Sequence, residues 1–455
     1  MSILALELVP HLEAALYMCI STNSYIRKCD STQRKSGKYM NTIIHIPKEN
    51  EASPHQEKQT KIFFLSNVWY SIKKRREQHA KRIIHSIKVG IALVLVSLLY
   101  LLDPIFEQVG ESAMWAIMTV VVVYDFFAGA TLSKGLLRGV GTILGGGLGC
   151  VAAILAEDSG KTGFTIVVGT SVFICGAVAT YCRMIPSIKK KYDYGVMIFI
   201  LTFNLVAVSG LRADKILELA RQRLATIGMG FAVCIFTSLL IFPMWAGDEL
   251  HHLTSSKFNK LACCIEECME AYFSASEKKG QQSINVSSCK SVLHSKSSDE
   301  SLANFARWEP WHGKFGFYYP WEKYLQIAEL LRELASTILS LQACIESPLQ
   351  PSTTLQQPIK ETCKDIGLSL GVTMRELGES IMKMRRGKER VLILPELQFI
   401  KLESILSISE LRAIENVETL AIANFLFVLM EIVNKVKVLA KEVEELGEVA
   451  GFQSK

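Results

Sequence analysis

The stretch AMWAIMTVVVVYDFFAGATLSKGLLRGVGTILGGGLGCVAAILA, residues 113–156, contains only three charged side chains, Asp125, Lys134 and Arg138. No alternation of period two runs through it, which excludes a transmembrane β-barrel. Its apolar runs, at about 113–132 and 139–156, are each long enough to cross ~30 Å of hydrocarbon as a helix. The two basic residues between them are expected in a loop. Working outward, similar segments lie at 83–102, 163–182, 192–210 and 224–245, so the sequence predicts six membrane-spanning helices.

The basic residues orient them. Lys73, Lys74, Arg75, Arg76, Lys81 and Arg82 precede the first segment. The loop DPIFEQVGES after it has acids only, Asp103, Glu107 and Glu111. Lys134 and Arg138 mark the second loop, and Arg183, Lys189, Lys190 and Lys191 mark the fourth. The N-terminus, these two loops and the C-terminal half are therefore expected in the cytosol. The fifth loop, LRADKILELARQR, breaks the rule with Arg212, Lys215, Arg221 and Arg223. Either these cations face an aqueous path, or the stretch lies along the interface. In a continuous helix Arg212 and Arg223 would point the same way, and a stripe of arginines suits an anion path.

Charge inside a span is costly, about 2.5–3.5 kcal/mol at the centre, so each such group needs a partner or a cavity. Lys88 either snorkels to the interface or faces a cavity. Asp125 is a structural ion pair, an interfacial group beyond a shortened helix, or a functional acid. Lys134 and Arg138, four apart, either set topology or form a cationic funnel. Gly135 and Gly139, and Gly141, Gly145 and Gly149, have the spacing that lets helices approach closely; a bare backbone lining a pore is the alternative.

The remainder bounds the function. The net charge of +6 comes from membrane-flanking residues, so nucleic-acid binding is not expected. The twelve Cys have no C-x-x-C spacing, which supports neither a zinc site nor a disulfide framework. Buried reduced thiols are expected, with no metal or cofactor. No Walker A sequence and no catalytic constellation is present, so neither an enzyme nor an ATP-driven pump is indicated. Glu7, Pro10 and Glu13 interrupt the first residues, and no signal peptide is expected.

Several long motifs carry a resemblance: residues 113–149, YDYGVMIFILTFNLVAVSGLR at 192–212, FPMWAGDELH at 242–251, and SKSSDESLANFARWEPWHGKF at 295–315 with its Trp308-Glu309-Pro310 signature. The chain resembles the plant aluminium-activated malate transporter family of anion channels. EDSGK and IKKKYDYG look most like its rapid-type guard-cell branch. The resemblance implies a homodimer of six-helix subunits around a central pore that passes malate, chloride, nitrate or sulfate. The family's basic pore positions would fall on Lys88, Lys134 and Arg212, with Arg183 and Arg223 as further candidates. Asp125 would be the gating acid. Two departures stand out: Tyr124-Asp125 where the family usually has Phe-Glu, and Trp311 where WEPPHG has its second Pro.

The all-α reading thus has three parts: 1–72, cytosolic and largely disordered; 73–247, the six-helix membrane domain; and 248–455, a cytosolic helical bundle. In the last, Ile327, Leu331, Leu334, Ile338, Leu341 and Ile345 form a 4-3-4-3-4 seam, either a dimer contact or internal core. Another helix is expected at 414–446, with linkers at 274–301 and 347–358. The basic tract Lys383, Arg385, Arg386, Lys388 and Arg390 is either solvated or a contact for anionic lipid. A passive anion channel, a proton-coupled carrier using Asp125, and a non-conducting scaffold are the functional readings. The membrane is expected to be the plasma membrane rather than the vacuolar one.

Overall fold

The structure is a computed structural model. It describes residues 76, 79–99, 101, 113–157, 160–209, 216–274, 287–316, 318–347, 353–386 and 417–453. The expectations for 1–72, for Arg212 and Lys215, and for the loop at 103–112 lie outside these. The described residues are helical, with two isolated β-bridges and no strand among them. The chain divides into two compact units, Met1–Phe126 with Lys134–Met244, and Phe127–Ser133 with Trp245–Lys455.

The first unit holds α1 (His79–Leu99), α2 (Ala113–Val123), most of α3 (Ala128–Glu157), α4 (Gly160–Met184), α5 (Pro186–Ser209) and α6 (Ile216–Leu240). Five of these are long and apolar enough to cross a membrane; α2, at 11 residues, is not. On α4, Ile166, Phe173, Val178 and Met184 are exposed in the chain by itself. A contiguous apolar face of this kind is foreign to water-soluble monomers.

The expected second and third segments are corrected here. The break lies at residues 124–127, not at 133–138, and α3 then runs for 30 residues through Lys134 and Arg138. Lys, Leu and Arg are good helix formers, and both cations find partners within the unit, so nothing forces a loop where their charge suggested one.

The glycines of α3 seat it on α5. A Cβ on Gly141 would fall 2.6 Å from the carbonyl oxygen of Gly195, one on Gly145 2.6 Å from that of Phe199, and one on Gly149 2.9 Å from Cβ of Val206. Close helix approach, not a bare pore wall, is what this stripe does. Backbone cannot move aside as a side-chain tip can, so Gly145→Ala should cost about 2 kcal/mol through overpacking. The check is thermal unfolding of the purified full-length protein in detergent; an unchanged melting temperature would rule this seating out.

The second unit holds α7 (Ala246–Ser274), α8 (Ser287–Leu293), α9 (Lys296–Ala306), α10 (Trp321–Glu346), α11 (Thr353–Lys383) and α12 (Val417–Val449). Its core joins all of them through residues such as Phe258, Ile265, Tyr272, Leu302, Leu370 and Phe425. The 4-3-4-3-4 seam lies on α10 and is consumed inside this core, every member buried. Part of the expected Ser-rich linker is instead helical: α8 and α9 each bury a narrow face, Cys289 and Val292 on one, Asp299, Leu302, Ala303 and Ala306 on the other. Cys264, Cys268, Cys289 and Cys363 are buried and unbridged.

Candidate functional site

The first unit places several sequence-derived positions around the break before α3. Helix α2 closes with the Tyr124 N–H on the Val120 carbonyl, and α3 opens with the Thr131 N–H on the Phe127 carbonyl, both 3.1 Å. Between them Asp125 Oδ1 accepts the N–H of Phe126 at 2.6 Å, and Oδ2 meets Lys134 Nζ at 2.7 Å. The acid also complements the positive end of α3. Asp125 and Lys134, expected as separate gating and pore groups, are thus one ion pair. Across the break His85 lies 5.8 Å from the Tyr124 ring and 5.4 Å from that of Phe126.

Lys88, one turn beyond His85 on α1, is 1 % exposed. It does not snorkel outward. Its Nζ donates to the carbonyls of Ser238, at 3.5 Å, and Phe242, at 3.3 Å. These carbonyls close α6, where a cation is favoured. Phe242 has φ +47°, a left-handed backbone costing a bulky residue about 1 kcal/mol or more.

Arg138 is 6 % exposed and donates from Nη1 to the hydroxyl of Tyr194 at 3.3 Å, while its Nε has no partner among the described residues. Its position one turn after Lys134 was the available signal for its inclusion in the site. Arg183 forks onto Asp193, with Nε to Oδ1 at 2.8 Å and Nη2 to Oδ2 at 3.1 Å. Arg223 lies 4.5 Å over the ring of Trp115, its Nε likewise unpartnered among the described residues.

The charge balance separates these groups. Lys134 and Arg183 are each neutralised by a carboxylate. Lys88, Arg138 and Arg223 have only neutral partners among the described residues: carbonyls, a phenol and an indole ring. Each of these cations therefore keeps a charge with no carboxylate opposite it among the described residues, in surroundings of low dielectric that strengthen its field.

The second unit contains a residue whose role is not readable from its neighbours in sequence. Glu309 is 5 % exposed, and its two oxygens accept the N–H groups of Ala246, at 2.5 Å, and Gly247, at 3.1 Å. Those are the first residues of α7, whose opening donors have no partner within the helix. The side chain also packs closely against Gly129, in the first turn of α3. A Cβ on Gly129 would fall 2.2 Å from the Phe305 carbonyl and 2.8 Å from Glu309 Cγ. One side chain therefore ties the start of α3 to the start of α7. Burial pushes the Glu309 carboxyl up to about 7; the N–H groups of Ala246 and Gly247 oppose the shift, Asp248 adds to it, and the N–H of Gly129 opposes it. His312 Nε2 stands 3.8 Å away, its ring stacked on Trp245 at 4.0 Å.

Comparison with known proteins sets these features in a family. The pattern of the aluminium activated malate transporter family matches residues 74–400. Aluminum-activated malate transporter 13 of Arabidopsis thaliana is 43% identical over 336 residues, covering 72% of this chain and 62% of that protein. Transporter 14 of the same plant is 42% identical over 333 residues, covering 72% and 61%. Transporter 2 is 39% identical over 386 residues, covering 83% and 77%. The chain spans less than two thirds of the length of the first two. With the family pattern over most of its length and these relatives beside it, the chain belongs to the aluminium activated malate transporter family.

Proposed function

We propose that the protein is an anion channel passing malate and inorganic anions such as chloride, nitrate and sulfate, built as a homodimer of six-helix subunits with its C-terminal half in the cytosol. Family membership and five span-length helices fit a multi-pass membrane protein. The single observation that carries the pore reading is the set of cations with neutral partners, Lys88, Arg138 and Arg223. Lys134, Arg183 and Arg212 are assigned supporting roles near the path, and Asp125 acts through Lys134 at the break before α3. The plasma membrane is the proposed site. The proton-coupled carrier reading draws no support from Asp125, whose carboxylate is engaged by Lys134 and the Phe126 N–H.

The test is voltage clamp of cells expressing the full chain. Arg138→Ala and Arg223→Ala should each lower malate current about tenfold, the equivalent of ~1.4 kcal/mol per lost cation. Lys134→Ala should act less, because its charge is already balanced. Normal currents and unchanged malate-to-chloride preference in Arg138→Ala, Arg223→Ala and Arg212→Ala would remove the pore assignment. A reversal potential that follows pH rather than the anion gradient would favour the carrier.

A further inference from the structure

We propose that the turn around Trp311–Lys314, together with Tyr318, docks on the phospholipid headgroup layer, the two aromatic rings entering the interface and Lys314 meeting anionic headgroups. The inference rests on the membrane-spanning reading of the chain and is independent of whether a pore exists.

The turn is built firmly and faces outward. His312 and Phe315 exchange backbone hydrogen bonds at 3.3 and 3.0 Å, with Gly313 at φ +53° between them. Phe315 is buried beneath, its ring 4.8 Å from that of Tyr319 and 5.2 Å from that of Trp321. Around it Trp311 is 72% exposed, Tyr318 is 100% exposed, and Lys314 is exposed as well. An exposed indole and an exposed phenol are expensive to leave in water, and an apolar ring with a polar handle suits the membrane–water boundary.

Contacts inside the second unit join the neighbours of this turn to chain that is close in sequence to two candidate spans. Glu309, two residues before Trp311, touches Gly129 in the first turn of the candidate span Ala128–Ala156. Trp245, stacked on His312, follows the candidate span Arg221–Leu240 by five residues, at most about 18 Å of extended chain. Trp and Tyr concentrate at the membrane–water boundary, and a Lys near an anionic surface adds attraction.

Trp311 can be observed directly. The full-length protein and its Trp311→Phe variant are reconstituted in vesicles of phosphatidylcholine and phosphatidylserine, with the phosphatidylcholine brominated near the carbonyl end of its acyl chains. The difference between the two emission spectra isolates Trp311 from the other five tryptophans. Most of that component should be lost to the brominated lipid and little of it to aqueous acrylamide, and Lys314→Glu should restore part of it only when phosphatidylserine is present. Quenching by acrylamide but not by bromine would show a ring in water and overturn the proposal. Quenching by neither would show a ring covered by protein, which overturns it equally. Exposure of position 311 makes Phe compatible with the fold, and the size-exclusion profile of the variant checks this.

Discussion

Glu309→Ala should destabilise the second unit by about 3 kcal/mol and remove most of the current, because it strands two buried N–H donors at the start of α7. Its two oxygens are the partners of Ala246 and Gly247, and no neighbouring side chain duplicates them among the bonds that cap α7. The carboxyl also sets a pH signature. Its folded value of about 7 is raised from the ordinary 4.5, with burial the main cause and Asp248 adding to it. A raised value means that the folded state holds the proton more tightly than the unfolded chain. The contribution to stability is therefore complete below about pH 4.5 and is lost as pH rises through about 7, a change of about 3 kcal/mol. Glu309→Gln, neutral throughout, should abolish that slope while retaining one acceptor oxygen. The difference in unfolding free energy between wild type and Glu309→Gln should move against wild type from about pH 5 to about pH 8. A pH-independent difference would mean that ionisation at this position is not linked to folding.

Asp299→Ala should be more damaging still, about 3–5 kcal/mol, because it leaves two cations buried without their anion. Asp299 on α9 is 1 % exposed and accepts from Lys257 Nζ on α7 at 2.6 and 2.5 Å, from Arg332 Nη1 on α10 at 3.0 Å, and from Ser295 Oγ at 2.9 Å. Three helices meet on one carboxylate. Burial already draws the Lys257 ammonium below its usual range against the attraction of Asp299. Without that attraction burial draws the Lys257 ammonium lower still, while Arg332 retains Glu329. The melting temperature of the full chain in detergent should fall by about 10 °C or more. Replacing Lys257 by Met and Asp299 by Leu together should cost less than the sum of the single changes, since the pair is then removed whole. Strict additivity would show that the two do not act as a unit.

Parts of this arrangement were legible in the sequence for clear physical reasons. Span-length apolar runs and the 4-3-4-3-4 seam on α10 follow from periodicity alone, and the spacing of Gly141, Gly145 and Gly149 on α3 does become helix contact, whereas Gly139 meets nothing within 4 Å. The break before α3 was not legible, because Tyr124, Phe126 and Phe127 keep the hydropathy high where the backbone leaves the helix. Lys134 and Arg138 misled for the opposite reason: their charges suggested a loop, but Asp125 and Tyr194 absorb them within a helix. Trp308-Glu309-Pro310 was visible as a signature, yet its work as a cap was not, since Ala246 and Gly247 lie more than 60 residues away. The difference among Arg138, Arg183 and Arg223 was not legible either, because it depends on whether a carboxylate or a neutral group stands opposite each one.

Helix α3 begins among the residues grouped with the C-terminal half and runs its remaining length in the other unit. A helix of 30 residues is about 45 Å long. A continuous helical rod, not a flexible linker, therefore carries the chain from one compact unit into the other.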